Sequence, residues 1–154
     1  MAVIVCATRG GEGSRAAQLM AIEAARSEGE DLVFLYVVDQ ALIEEHDERL
    51  KGAVYAELHW LARALLHIAR QRAERAGLSA EVVVRDGAVK EEIEQFLSES
   101  KASRLLLGAS RGTSPVFGDD TVEQFAKSIE TDTGVPVTVV RPEDFEAQLK
   151  KIRY

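Results

Sequence analysis

The chain has 154 residues, 46% of them hydrophobic and 29% charged, the length of one domain and enough to bury roughly two thirds of its unfolded surface around one core. Nineteen basic against 26 acidic residues give a formal net charge of −7. The basic ones are scattered along helices, which argues against nucleic acid and anionic membrane as partners, since both need a concentrated positive field. The single cysteine, Cys6, excludes an internal disulfide; within an apolar run it reads as a buried, inert thiol suited to a reducing compartment.

Val3 to Ala7 is a short apolar run closed by Thr8-Arg9-Gly10-Gly11, the pattern of a strand buried on both faces. Ser14 to Ser27 has helical periodicity, with Ser14 as a candidate N-cap and Gly29 just past the end. Leu32 to Val38 is a second apolar strand stopped by Asp39, so the opening predicts a right-handed βαβ unit. After the polar approach Glu44 to Glu48, the residues Leu50, Val54, Leu58, Leu61, Leu65 and Ile68 recur on one face of a long helix ending at Gly77. Gly52 marks a place where that helix starts or kinks.

Val82 to Val84 is a third strand, Asp86-Gly87 a turn, and Val89, Ile93, Phe96 and Leu97 the inner face of a third helix. Arg104 to Leu107 is a fourth strand and Thr121 to Glu130 a fourth helix with Val122, Phe125, Ala126 and Ile129 inward. Val137 to Val140 is a fifth strand, placed at the sheet edge by Pro136. The tail, 143–154, carries Phe145, Leu149 and Ile152 at helical spacing. It predicts an amphipathic helix packed on its own domain, 1–142, or on a partner subunit. The alternation predicts an α/β fold, a Rossmann-like, doubly wound, five-stranded parallel sheet with helices on both faces and an extra C-terminal helix. No basic region precedes a long apolar segment, and no apolar stretch approaches the ~18 residues of a membrane span; the expected location is cytoplasmic.

In such sheets ligands sit beyond the carboxyl ends of the strands where the winding reverses. With strand order 3-2-1-4-5 that point falls between strands one and four, at the loops Thr8 to Ser14 and Gly108 to Ser114. Both are rich in glycine and hydroxyls, and each carries one arginine, Arg9 or Arg111, suited to meet a phosphate. The blander reading is that the glycines only make tight strand-to-helix turns and the arginines are solvated. Neither loop has the Walker sequence, and Gly-x-Gly-x-x-Gly and Gly-x-Ser-x-Gly are absent. Asp120 with Glu123 reads as a helix-capping box before it reads as chemistry. His59 and His67 lie eight residues apart on a helix, ~12 Å along its axis and too far to share an ion, so no metal site is expected. Trp60 reads as a packing or interface residue.

The opening strand, Leu35-Tyr36-Val37-Val38-Asp39, Arg85-Asp86-Gly87, the run Leu106 to Gly112 and the close Gly134 to Arg141 together resemble the universal stress protein family, over nearly the whole chain to about Pro142. The resemblance implies a homodimer joined through the fifth strands, here Val137 and Val139, and roles in stress survival and regulation rather than a defined catalysis. ATP-binding members look like Gly-x-x-Gly, nine residues, then Gly-Ser or Gly-Thr, with an aspartate ending the first strand. Here three residues separate Gly108 from Gly112, seven separate Gly112 from Asp120-Thr121, and Thr8 stands at the aspartate's position. A carboxylate at Asp120, where a glycine N–H should face phosphates, brings bulk and like charge.

The expectation is therefore a homodimeric stress-response or regulatory protein with a degenerate nucleotide site, no catalytic residue, no required cofactor and an unknown protein partner. The alternative is an ATP or adenine-nucleotide-binding module with at most slow hydrolysis. It would use Thr8, Arg9, Gly10, Gly11, Gly108, Arg111, Gly112 and Thr121 around the phosphates and the backbone at Val37 and Val38 for adenine, with Gly118 as a substitute glycine and weak ATP affinity. An enzyme of the related adenine-nucleotide hydrolase-like group fits least, because neither switch-point loop carries a lysine or histidine.

Overall fold

The computed structural model describes residues 2–112 and 120–152, with the side chains of positions 120 and 152 excluded. Strands β1 (Val3–Ala7), β2 (Asp31–Asp39), β3 (Glu81–Gly87), β4 (Arg104–Gly108) and β5 (Val137–Val140) form one parallel sheet in the order β3-β2-β1-β4-β5. Helices α1 (Glu12–Glu28), α2 (Gln40–Glu44), α3 (Glu48–Arg75), α4 (Val89–Ser100), α5 (Asp120–Thr133) and α6 (Pro142–Ile152) connect and follow them.

Strand side chains alternate between faces, and the register turns that alternation into two cores. Ile4 and Cys6 of β1 lie beside Leu32 and Phe34 of β2 and Leu106 of β4, packing with α1 and α3. Val5, Val33, Leu35, Leu105 and Leu107 face the other way, toward α4 and α5. Both faces are covered, which is why these strands read as unbroken apolar runs. The sheet order and the two-sided covering agree with the sequence reading.

Three sequence expectations change. The N-cap of α1 is Gly11, not Ser14; the Ser14 hydroxyl is buried and accepts the Arg9 backbone N–H at 3.0 Å. A short helix, α2, follows β2, capped by Asp39, whose carboxylate accepts the Ala41 N–H at 3.0 Å. Helix α3 runs through Gly52, and its buried face is Ala62, Leu66, Ala69 and Ala73. Leu50, Leu61 and Ile68 stay 53%, 41% and 42% exposed, and Trp60, at 64%, leaves most of its ring open to solvent. Small residues win the inner face because they let the helix lie close to a sheet already carrying α1.

The tail forms α6 on its own domain. Asp144 accepts the Arg141 N–H at 2.9 Å while Asp144 N–H donates to the Arg141 carbonyl at 3.0 Å, a reciprocal cap with Pro142 at the first helical position. Phe145 packs against the core on the α1 side of the sheet.

Candidate functional site

All five strands end at one edge of the sheet, and a cavity of about 410 Å³ opens there over β1, β2 and β4. Its polar end is made by Thr8, Arg9, Ser14, Gly108 and Thr121. Its other end is the strand segment from Leu35 to Asp39 with Leu42, Leu58, Ile93 and Phe125. A wider cleft of about 650 Å³ lies near Val3, Asp31 and Glu81, at the amino ends of β1 to β3, where no glycine loop or helix N-terminus converges.

The two switch-point loops meet by direct backbone contact. A Cβ on Gly108 would lie 2.5 Å from the Gly13 carbonyl oxygen and 2.7 Å from Ser14 N, and one on Gly13 would lie 2.2 Å from the Ala109 carbonyl oxygen. Only glycine permits this approach, which brings the first turn of α1 against the end of β4. Gly11, with φ 105°, serves the turn itself.

Of the residues proposed from sequence, Thr8, Arg9, Val38, Gly108 and Thr121 line the cavity. Gly10 packs beside Leu65, and Gly10, Gly11, Arg111 and Gly112 are not part of the wall. Asp120's capping role and the substitute glycine Gly118 fall outside the described residues. Glu123, the other half of that capping box, pairs with Arg141, Oε1 to Nη2 at 2.5 Å.

Thr8 is 2% exposed. Its hydroxyl accepts Gln18 Nε2 at 2.6 Å and donates to the Arg9 carbonyl at 3.2 Å, and Gln18 Oε1 accepts Arg72 Nη1 at 2.6 Å. Burial, reinforced by Arg15 and Arg75, pulls the Arg72 pKa down. The hydroxyl at the end of β1 is thus tied into α1 and α3 rather than left open to a ligand.

Arg111 does not line the cavity and is bonded to carboxylates. Its Nη2 lies 2.5 Å from Glu12 Oε1 and 2.5 Å from Glu146 Oε1, and its Nε lies 3.2 Å from both Glu12 oxygens. These bonds raise the Arg111 pKa further, and Arg111 holds the Glu146 carboxyl below its usual value. The Gly112 N–H donates to Glu143, 3.3 Å from each oxygen. Arg141 Nη1 donates to the Ser110 carbonyl at 2.6 Å. Glu143 and Glu146 carried no sequence signal, being 31 and 35 residues from their partners in the loop after β4, whereas Glu12 belongs to the loop that the topology sets beside Arg111 and reads from sequence as negative charge near an anion site.

A second polar group unassigned from sequence lies where β3 ends. His59 Nε2 and Asp86 Oδ1 are 2.6 Å apart, Tyr55 OH lies 3.4 Å from Asp86 Oδ2, and the Tyr55 and His59 rings stack at 4.2 Å. Among the described residues no cluster of three or more His, Cys, Asp or Glu side chains could hold a metal ion. No helix among them is long and apolar enough to cross a membrane.

The sequence model of the Universal stress protein family matches residues 1–141. The chain belongs to the universal stress protein family. Among curated proteins none matches the sequence. Solved structures share the fold at low identity. A universal stress protein family member from Burkholderia pseudomallei is 21% identical with a TM-score of 0.71, covering 90% of this chain and 95% of its own. A family member from Arabidopsis thaliana with AMP bound is 15% identical, TM-score 0.67, with 92% of each chain covered. The universal stress protein from Archaeoglobus fulgidus in complex with dAMP is 16% identical, TM-score 0.59, covering 91% and 97%.

Proposed function

We propose that this chain is a stress-response or regulatory protein that acts as a homodimer through protein contacts, and that its switch-point cavity is a nucleotide site that has lost its grip on phosphates. The observation that carries this reading is the composition of the cavity wall. Among the described residues Arg9 is the one cationic side chain on it, while Arg111 is bonded elsewhere. The remaining wall is largely apolar and of a size that suits a small ligand. Among the described residues no lysine or histidine lines it, which also supports a non-catalytic role.

The dimer reading rests on β5, which ends the sheet order. Strand alternation turns the peptide groups of Val137 and Val139 away from β4. The Val137 N–H is taken by Glu130 Oε1 at 2.9 Å, so the edge open to a second copy centres on Val139. Sedimentation at micromolar concentration should report a dimer, and a monomer alone would overturn this part.

The second reading, an ATP or adenine-nucleotide-binding module, is favoured by Thr8, Arg9, Gly108 and Thr121 converging at one end of the cavity; the Arabidopsis and Archaeoglobus proteins, which share this fold, are described with AMP and dAMP. Thermal shift with ATP and magnesium separates the two. A ligand at a hundredfold excess over its Kd stabilises the folded state by about 2.7 kcal/mol. The degenerate-site reading expects no shift at millimolar ATP; a clear shift abolished by Arg9→Ala would establish the second.

A further inference from the structure

The sheet has two edges, β3 and β5, and β3 is the longer, seven residues against four. The Thr8 N–H donates to the Leu35 carbonyl at 2.8 Å and the Asp31 N–H to the Ala2 carbonyl at 3.0 Å, so odd-numbered residues of β2 turn their peptide groups toward β1 and even-numbered ones toward β3. With Phe34 opposite Val82, Glu81, Val83 and Arg85 bond to β2, and the N–H and C=O groups of Val82 and Val84 point outward. No other segment among the described residues takes them. The register with β2 is unbroken over seven pairs and β3 holds no proline, so neither a bulge nor a proline blunts this edge. Beside it lies a cleft of about 440 Å³, lined by Val82 and Val84 and by Arg63, Leu66, His67 and Arg70 of α3. Leu66 is buried, Arg63 and His67 are exposed and Arg70 is half-buried. Steps of four and three along the helix set the three basic side chains in one row. Among the described residues none of the three forms an ion pair or hydrogen bond, whereas Arg85, Arg104, Arg111 and Arg141 each hold a carboxylate. Glu74, one turn past Arg70, does not line the cleft.

We propose that the outer edge of β3 docks an extended, acidic peptide segment of a partner protein, which joins the sheet beside β3 with its acidic side chains against Arg63, His67 and Arg70. Main-chain bonds to Val82 and Val84 supply affinity, and the row of cations selects the charge. The spacing suits this occupant. Four residues of helix rise ~6 Å, close to the ~6.7 Å between alternate side chains of a strand, so acidic residues at every second position meet one cation after another. A second copy of this chain fits the edge poorly. Antiparallel pairing of two β3 strands about a two-fold axis sets Arg63, His67 and Arg70 against the same residues of the other copy. The net charge of −7 does not reverse the preference, because charges more than about 8 Å away are screened at physiological ionic strength and the cleft's own cations decide. The inference goes beyond the proposed function, since it needs neither the switch-point cavity nor the β5 dimer.

The test uses the full chain and a fluorescein-labelled octapeptide of alternating glutamate and threonine, capped at both ends, with the lysine–threonine peptide as its charge-reversed control. Fluorescence anisotropy should show the glutamate peptide binding about tenfold or more tightly than the lysine one, and R63Q/R70Q, which leaves the core untouched, should weaken it about tenfold. At saturation, amide hydrogen exchange resolved by NMR should slow about tenfold or more at Val82 and Val84 and stay unchanged at Val83, whose N–H is already held by β2. This last readout separates strand addition from a peptide that merely rests on α3. No binding of the glutamate peptide at millimolar concentration, equal affinity for the two peptides, or binding without slowed exchange at Val82 and Val84 overturns the proposal. So does slowed exchange at those amides in the peptide-free chain as its concentration is raised, which would give the edge to a second copy. ATP thermal shift and the β5 dimer read other surfaces, so failure here leaves the proposed function standing, and failure there leaves this proposal standing.

Discussion

Replacing Gly13 by alanine tests the contact that builds the switch point. The added Cβ would stand 2.2 Å from the Ala109 carbonyl oxygen, 2.6 Å from its carbon and 2.9 Å from its nitrogen. Real Cβ atoms essentially never come under 3.0 Å, so the first contact is 0.8 Å short. All three atoms are backbone, and no rotamer change relieves them. The first turn of α1 must lift from β4, yet Ala16, Ala17, Ala21 and Ala25 hold that helix on the sheet at 4% exposure or less. Overpacking of this kind costs about 1–3 kcal/mol, and a backbone clash belongs at the upper end. Alanine in a helix returns about 1 kcal/mol relative to glycine. The clash wins, leaving a net loss of about 2 kcal/mol, or roughly 4–8 °C in Tm for a domain of this size. Urea denaturation of Gly13→Ala beside Gly52→Ala measures it. Gly52 lies inside α3 with nothing within 4 Å of its would-be Cβ, so that variant should gain about 0.5–1 kcal/mol. Equal stability of the two variants would refute the close approach of α1 and β4.

Thr8→Val removes the acceptor for buried Gln18 Nε2 while keeping the side chain's shape, and should cost about 1–3 kcal/mol in urea unfolding; a neutral result would mean that the Thr8–Gln18 bond contributes nothing. Glu146 should titrate below its ordinary 4.5 in a carboxyl-resolved NMR experiment and return toward it in Arg111→Gln, since the Arg111 hydrogen bond is the main cause of the shift. A depressed folded pKa means that this contribution is present above the unfolded pKa and lost as pH falls through the folded value. Acid, not alkali, should therefore loosen α6 from Arg111, and a Glu146 titration insensitive to Arg111→Gln would refute the pairing. Cys6, fully buried with its thiol pushed up to about 12, should resist a disulfide reagent at pH 8 until denaturant is added; rapid labelling of the native chain would contradict the buried β1.

The strands were legible because burial on both faces leaves continuous apolar runs. Their order, taken as 3-2-1-4-5 for a doubly wound sheet, agrees with the structure. The inner face of α3 was not, since a count of large apolar residues points to Leu50, Leu61 and Ile68, whereas close packing on the sheet selects Ala62, Ala69 and Ala73. Helix α2 had its cap on view in Asp39, but five residues are too few for a periodic pattern. At the site, glycines located the loops, because close approach demands them. The direction of Arg111 was half legible, because the topology sets the loop of Glu12 beside it while no local rule links α6 to the loop after β4.

The tail's reach to that loop follows from the topology. In a parallel sheet every strand delivers the chain to the same edge, which is the edge where ligands bind. Strand β5 lies beside β4, with Gly108 opposite Val140 in register, so a helix that follows β5 starts next to the loop after β4. Two residues past Val140 the chain has entered α6, and its acidic first turn, Glu143 and Asp144, falls within reach of Gly112 and of the Arg141 backbone N–H. One turn further on, Glu146 meets Arg111. A C-terminal extension of this fold is therefore placed where it reaches the start of the loop after β4 without disturbing the sheet, and the acidic residues in the first turns of α6 are the positions that make the contact.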